Sequence, residues 1–264
     1  MAKRSRRSQN IRGTRGENNR KSRRGEVQAS LDTLEHTPIP KKLPEVVYKT
    51  EKQRKYASSI HHNTLTFGIG VAGTGKTFVA AYVAAEILLK KVALYNATRS
   101  DGNELLEAPR LICARPAIEA CDEHLGFLPG DKGEKSDPWF APIKHELERI
   151  LGASYVEYCM KIGRIEFVPF AYMRGRTFSN AIVLLDEAQN TTPSQMYLFL
   201  SRIGEDTKVV VDGDPQQMDV KGESGLVHSH GILHCKPSVG SVSFGIDDIV
   251  RSDFCKMVLA AYRK

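Results

Sequence analysis

Eight residues with fixed spacing carry the clearest chemistry. Gly70-Val71-Ala72-Gly73-Thr74-Gly75-Lys76-Thr77 fits G-x-x-x-x-G-K-[ST]. Glycines here let the backbone curl until several N–H groups converge on one centre, and a following helix turns its positive end to the same point. Such a loop cradles phosphate. Lys76 is placed to reach the terminal phosphates and the Thr77 hydroxyl to ligate Mg²⁺. The bland alternative is a Gly-rich turn with no ligand. The apolar run Leu65 to Val71 before the loop and the amphipathic stretch after it supply the strand–loop–helix setting that phosphate binding needs.

A second set of groups sits at a later strand end. Ala181-Ile182-Val183-Leu184-Leu185 runs into Asp186-Glu187-Ala188-Gln189. Asp186 at the carboxyl edge of a strand can hold a Mg²⁺ shell, and Glu187, pointing the other way, can polarise a water for in-line attack. A charged strand end facing solvent is the alternative, and the phosphate loop upstream argues against it. Val209-Val210-Val211 ends in a polar tip, Asp212-Gly213-Asp214-Pro215-Gln216-Gln217, where Gln217 is a neutral donor able to report the state of a terminal phosphate or simply part of a turn. Arg115, Arg174 and Arg176 lie beside strands, as phosphate ligands or as ordinary surface arginines. Gln53 and Tyr56 lie upstream of the loop strand, where an amide can pair with a base edge and a ring can stack. His61-His62 reads as a solvated helix end rather than a metal site.

These groups need elements to position them. Strands are expected at residues 65–71, 111–114, 165–170, 181–185, 208–211 and 239–244. Helices are expected at 76–90, 142–151, 154–161, 193–203, 224–233 and 252–262. The strands are continuously apolar rather than alternating. Together with strand–helix alternation, this predicts an α/β domain with a mostly parallel sheet and helices on both faces. A further strand is expected between the phosphate-loop strand and the acidic one.

The chain has 264 residues, 41% hydrophobic and 26% charged, which is globular composition. The net charge of +7 is not spread evenly. Residues 1–24 hold ten Lys or Arg and one acid, a local charge of +9, leaving 28 basic and 30 acidic side chains in the rest, or −2. Residues 1–30 bury too little apolar surface to fold and read as a disordered basic tail. Residues 31–49, with Pro38, Pro40 and Pro44, read as an extended arm, and residues 50–264 as the folded domain. No apolar run reaches the ~20 residues of a membrane span. The basic start lacks the apolar stretch of a secretory signal. Five cysteines without a CxxC pair point to reduced thiols and a cytoplasmic protein.

Taken together, the motifs from Thr50 to Tyr262 resemble the PhoH-like family, phosphate-starvation-inducible ATPases with a RecA-like domain and motor motifs related to superfamily 1 helicases. The likeness rests on the phosphate loop, Arg115-Pro116-Ala117-Ile118-Glu119-Ala120, Leu125-Gly126-Phe127-Leu128-Pro129-Gly130-Asp131, Met173-Arg174-Gly175-Arg176-Thr177-Phe178, Asp186-Glu187-Ala188-Gln189-Asn190, Gly213-Asp214-Pro215-Gln216-Gln217-Met218-Asp219 and Asp248-Ile249-Val250-Arg251. The resemblance implies ATP and Mg²⁺ as ligands and ATP hydrolysis, with RNA or single-stranded nucleic acid as partner. Gln53 would read adenine, the residues Gly70 to Thr77 would hold the phosphates, Thr77 and Asp186 the metal, Glu187 the water, and Gln217 would sense the γ-phosphate.

The sequence departs from the family pattern at Val71, where a proline is usual, at Ser252, where a histidine often stands, and at residues 96–110, which look like a small insertion. A superfamily 1 helicase uses two such domains and these residues supply one. The expectation is therefore a homo-oligomer, with a hexameric ring as one form, in which Arg251 (Arg176 as second candidate) reaches a neighbour's site. The alternative is an ATP-switched adaptor that recruits an RNA-processing partner without unwinding. If phage-encoded, the protein would act in the host cytoplasm.

Overall fold

The computed structural model describes residues 40, 42–100, 107–116 and 137–262. The basic tail, most of the arm, Ala117–Ala120 and Leu125–Asp131 lie outside these residues. Among these residues seven α-helices and six strands follow one another: α1 Glu51–His62, β1 Leu65–Gly70, α2 Lys76–Ser100, β2 Arg110–Arg115, α3 Asp137–Leu151, α4 Ala153–Lys161, β3 Ile165–Pro169, β4 Ala181–Leu185, α5 Pro193–Leu200, β5 Lys208–Gly213, α6 Gly225–Leu233, β6 Val239–Phe244 and α7 Asp253–Tyr262.

The strands form one sheet in the order β3-β2-β4-β5-β1-β6, and every pairing is parallel. β5 lies between β1 and β4, so the expected inserted strand is the one that carries the polar tip. This is the RecA-like arrangement. All six carboxyl ends share one edge, where ligands bind in open α/β sheets. Ile182 and Leu184 of β4 and Val210 of β5 pack into one apolar layer with Tyr56, Val83, Leu88, Ile143 and Leu147. Their alternates Val183, Leu185, Val209 and Val211 pack into the other with Phe178, Met196, Phe199 and Leu226. Burial on both faces is why the strands read as unbroken apolar runs.

Several expected bounds shift. α2 runs to Ser100 instead of Lys90, since neither Gly nor Pro follows to stop it. It absorbs the first part of the expected insertion. α3 begins at Asp137, five residues before the expected start, and carries Pro142 inside. α5 stops at Leu200 rather than Ile203, because Ser201 to Ile203 turn to bring Ile203 beside Phe178. α1 went unassigned. Its inward face, Gln53, Tyr56, Ala57 and Ile60, follows helical spacing, and Thr50 caps it by accepting from the Gln53 N–H. Its last turn holds His61 and His62, a helix end as expected. Residues 42–48 are without regular structure. Among the described residues no helix is long and apolar enough to cross a membrane, and Cys113, Cys159, Cys235 and Cys255 are unpaired thiols.

Candidate functional site

The phosphate loop joins β1 to α2. Gly70, Gly73 and Gly75 take φ of 131°, 79° and 81°, a region other residues enter only with strain. At Gly70 a β-carbon would lie 2.1 Å from the Phe244 carbonyl oxygen, so β6 could not pair there against any side chain. Lys76 is buried, and its Nζ donates to the Gly70 and Val71 carbonyls at 2.7 and 2.9 Å. Burial lowers its pKa, and the carboxylates of Asp212, Asp214, Asp186 and Glu187 oppose that shift.

Thr77 Oγ1 donates to Asp186 Oδ1 at 3.3 Å, bringing the loop and the end of β4 together. Burial first, then the neighbouring Glu187 charge, pushes the Asp186 carboxyl up to about 6. A hydroxyl and a carboxylate beside a phosphate cradle form the oxygen donor set that Mg²⁺ takes, one or two protein ligands with the rest from phosphate and water. The next residue, Glu187, stands in the left-handed region at φ 55°. Its Oε1 accepts from Arg115 at 3.1 Å and its Oε2 from Gln189 at 2.6 Å. Arg115 also donates to the Trp139 carbonyl of α3 at 2.7 Å.

Gln189 ties the tips of β4 and β5. Its Nε2 donates to Glu187 and, at 3.3 Å, to the Gln217 carbonyl, while its Oε1 accepts from the Asp214 N–H at 3.1 Å. Gly213 permits this approach, since a β-carbon there would meet Gln189 Oε1 at 2.5 Å. Asp214 Oδ2 accepts from the Ala72 N–H at 3.2 Å and from Gln217 Nε2 at 2.9 Å, so the polar tip grips the phosphate loop. Beneath the loop, the buried Tyr56 hydroxyl donates to Asp212. Burial raises the Asp212 carboxyl to about 7 against the lowering effect of that bond.

A cleft of about 500 Å³ gathers Lys76, Thr77, Asp186, Glu187, Gln217, Arg115 and Arg251. It also takes in residues that the motifs did not mark: Phe78 of α2 and Pro142, His145 and Glu146 of α3. Three expectations change. Tyr56 is fully buried, with no ring face for a base to stack on. Gln53 is also buried, and both ends of its amide are used, donating to the Thr74 carbonyl and accepting from the Lys49 N–H, each at 2.8 Å. It shores up the phosphate loop and does not line the cleft. Arg251 lies over its own loop, its Cδ 3.1 Å from where a Gly73 β-carbon would stand, and Val250 N–H donates to the Gly73 carbonyl at 3.0 Å. Asp248 pairs with Lys52 at 3.0 Å. The Arg251 side chain therefore faces its own cleft. Arg176 is held by Glu166 at 2.7 Å and does not line the cleft.

The family model for PhoH-like proteins matches residues 45–263. The chain belongs to the PhoH-like family. It is 44% identical over 221 residues to Protein PhoH of Escherichia coli strain K12, covering 82% of this chain and 58% of that protein. It is 42% identical over 218 residues to a PhoH-like protein of Bacillus subtilis strain 168, covering 82% and 63%. A PhoH-like protein of Synechocystis is 40% identical over 218 residues, covering 82% and 62%. The chain thus spans about three fifths of these relatives' length.

Proposed function

We propose that this PhoH-like chain binds ATP with Mg²⁺ and hydrolyses it. The observation that carries the reading is the Thr77–Asp186 contact, which sets a phosphate loop, an acidic strand end and Glu187 around one cleft. Bound Mg²⁺ would supply charge neutralisation between the outer phosphates, held by Thr77 and Asp186. Lys76 exchanges its two loop carbonyls for phosphate oxygens. Glu187 orients the attacking water and accepts its proton at a carboxylate oxygen, and Gln217 faces the terminal phosphate. Turnover of ATP with and without Mg²⁺, in wild type and Glu187→Gln, tests this; magnesium-independent or unchanged turnover would refute it.

Coupling to RNA or single-stranded nucleic acid is the second half of the proposal. Phe170, Met173, Leu198 and Phe199 line an apolar cleft of about 230 Å³ with Arg174 at its edge. Tyr172 and Tyr197, 62% and 72% exposed, stand on the same two elements. Exposed rings for stacking beside a guanidinium for phosphate suit a single strand. α7 presents Phe254 and Met257, 72% and 57% exposed, which supports self-association. Stimulation of turnover by RNA across protein concentrations separates a motor from an ATP-switched adaptor, which RNA would leave unstimulated.

A further inference from the structure

The cleft lining combines charged groups with one phenylalanine ring, Phe78. Arg115 joins Glu187 to the Trp139 carbonyl at the start of α3. Ten residues further along α3, Arg149 lies over the Phe78 ring, 4.9 Å from its centre, and pairs with Glu146 at 2.7 Å. Ten helical residues span ~15 Å, the scale of a triphosphate extended into its nucleoside. Phe78 follows Thr77 directly on α2 and lines the same cleft as Lys76 and Thr77.

Resting on the nucleotide reading above, we propose that Phe78 and the Arg149 guanidinium form the shelf on which the nucleobase stacks. Both are flat and polarisable, and one base extends their stack. The two residues expected to serve the base stand outside the cleft lining: Tyr56 is fully buried, and Gln53 is buried with its amide bonded to the Thr74 carbonyl and the Lys49 N–H. Stacking needs only a π-face, which every base has. The site therefore holds its base by area rather than by edge, and it accepts guanine about as well as adenine.

The experiment compares ATP, GTP and inorganic tripolyphosphate by calorimetry with Mg²⁺ present. Wild type should bind ATP and GTP within about threefold of each other, and each roughly tenfold or more tighter than tripolyphosphate, the scale of one base stack. Phe78→Ala should lose that advantage and keep its tripolyphosphate affinity, which also shows that the loop is folded. Phe78→Tyr should retain the advantage, and Arg149→Gln, at an exposed position, should lose part of it. Equal weakening of ATP and tripolyphosphate in Phe78→Ala, no weakening of either, or a hundredfold preference for ATP over GTP would overturn the shelf. Failure of wild type to bind tripolyphosphate at all would instead overturn the nucleotide reading beneath it.

Discussion

Arg115 and Glu187 form an ion pair at 3.1 Å inside the cleft, and the same guanidinium is anchored on the Trp139 carbonyl at 2.7 Å. The carboxylate proposed to handle water is thus aimed from two sides, by Arg115 and by Gln189. Arg115→Ala should leave ATP affinity within about threefold of wild type and reduce kcat by roughly tenfold or more, the usual cost of a misplaced base. Steady-state kinetics paired with equilibrium binding checks it. A change in affinity alone would show that Arg115 binds nucleotide rather than aiming Glu187.

Lys76→Ala and Glu187→Gln should fail differently. The first removes the cation facing the outer phosphates and should abolish binding. The second keeps shape and hydrogen-bonding reach but loses the proton acceptor, so ATP should bind while turnover falls by about 10² or more. Fluorescent-nucleotide binding beside phosphate release distinguishes the two variants.

Gln53→Ala tests the support of the phosphate loop. It strands the buried Thr74 carbonyl, while the Lys49 N–H, on an exposed residue, turns to water. Unmet buried groups cost about 1–3 kcal/mol each, so the denaturant midpoint should fall clearly. Tripolyphosphate affinity should fall with it, since the loop loses its prop. An unchanged midpoint would show that water replaces the amide freely.

Asp212 makes stability depend on pH. Its folded value of about 7 lies above the ordinary carboxyl value of 3.8, with burial as the chief cause. The native state therefore holds a proton that the unfolded chain gives up, and stability falls as pH rises from about 4 through about 7. Asp212→Asn keeps an acceptor for the Tyr56 hydroxyl and removes this slope. Urea titrations at pH 5 and pH 8 should show the variant gaining on wild type at the higher pH. Parallel behaviour of the two proteins would refute the assignment.

The basic segment gives a salt test. If about five of its cations contact single-stranded phosphates, deleting residues 1–24 should make the negative slope of log affinity against log salt shallower by about 3.5, at ~0.7 per contact. An unchanged slope would remove the tail from nucleic-acid binding.

The strands and the phosphate loop were legible because their signals are local. Continuous apolar runs mark a sheet covered on both faces, and the glycine spacing reflects backbone geometry that those positions must adopt. Asp186 and Glu187 were legible as a pair for the same reason. Gln53 and Tyr56 were found but given roles that depend on exposure, and exposure is decided by packing between residues far apart: Tyr56 meets Asp212 across 156 positions of sequence. His145 and Glu146 carry no motif, for they join the cleft only because α3 packs beside α2, and Phe78, next after the phosphate loop, reads as one more apolar residue of its helix. α1 had a usable signal in Thr50 and the spacing of Gln53, Tyr56 and Ile60. The long reach of α2 depended on the absence of any stop.

The side chain of Gln189 has a chemical polarity that its surroundings fix. One end must give protons, to Glu187 and to the Gln217 carbonyl, and the other must receive one from Asp214. Glutamate would fill the same space yet place a second negative charge against Glu187 and have nothing to give. Leucine would satisfy neither side. Only an uncharged amide in one orientation completes the circuit, so one side chain bonds both strand tips at once. A glutamate here should therefore uncouple the two strand tips while leaving the sheet intact.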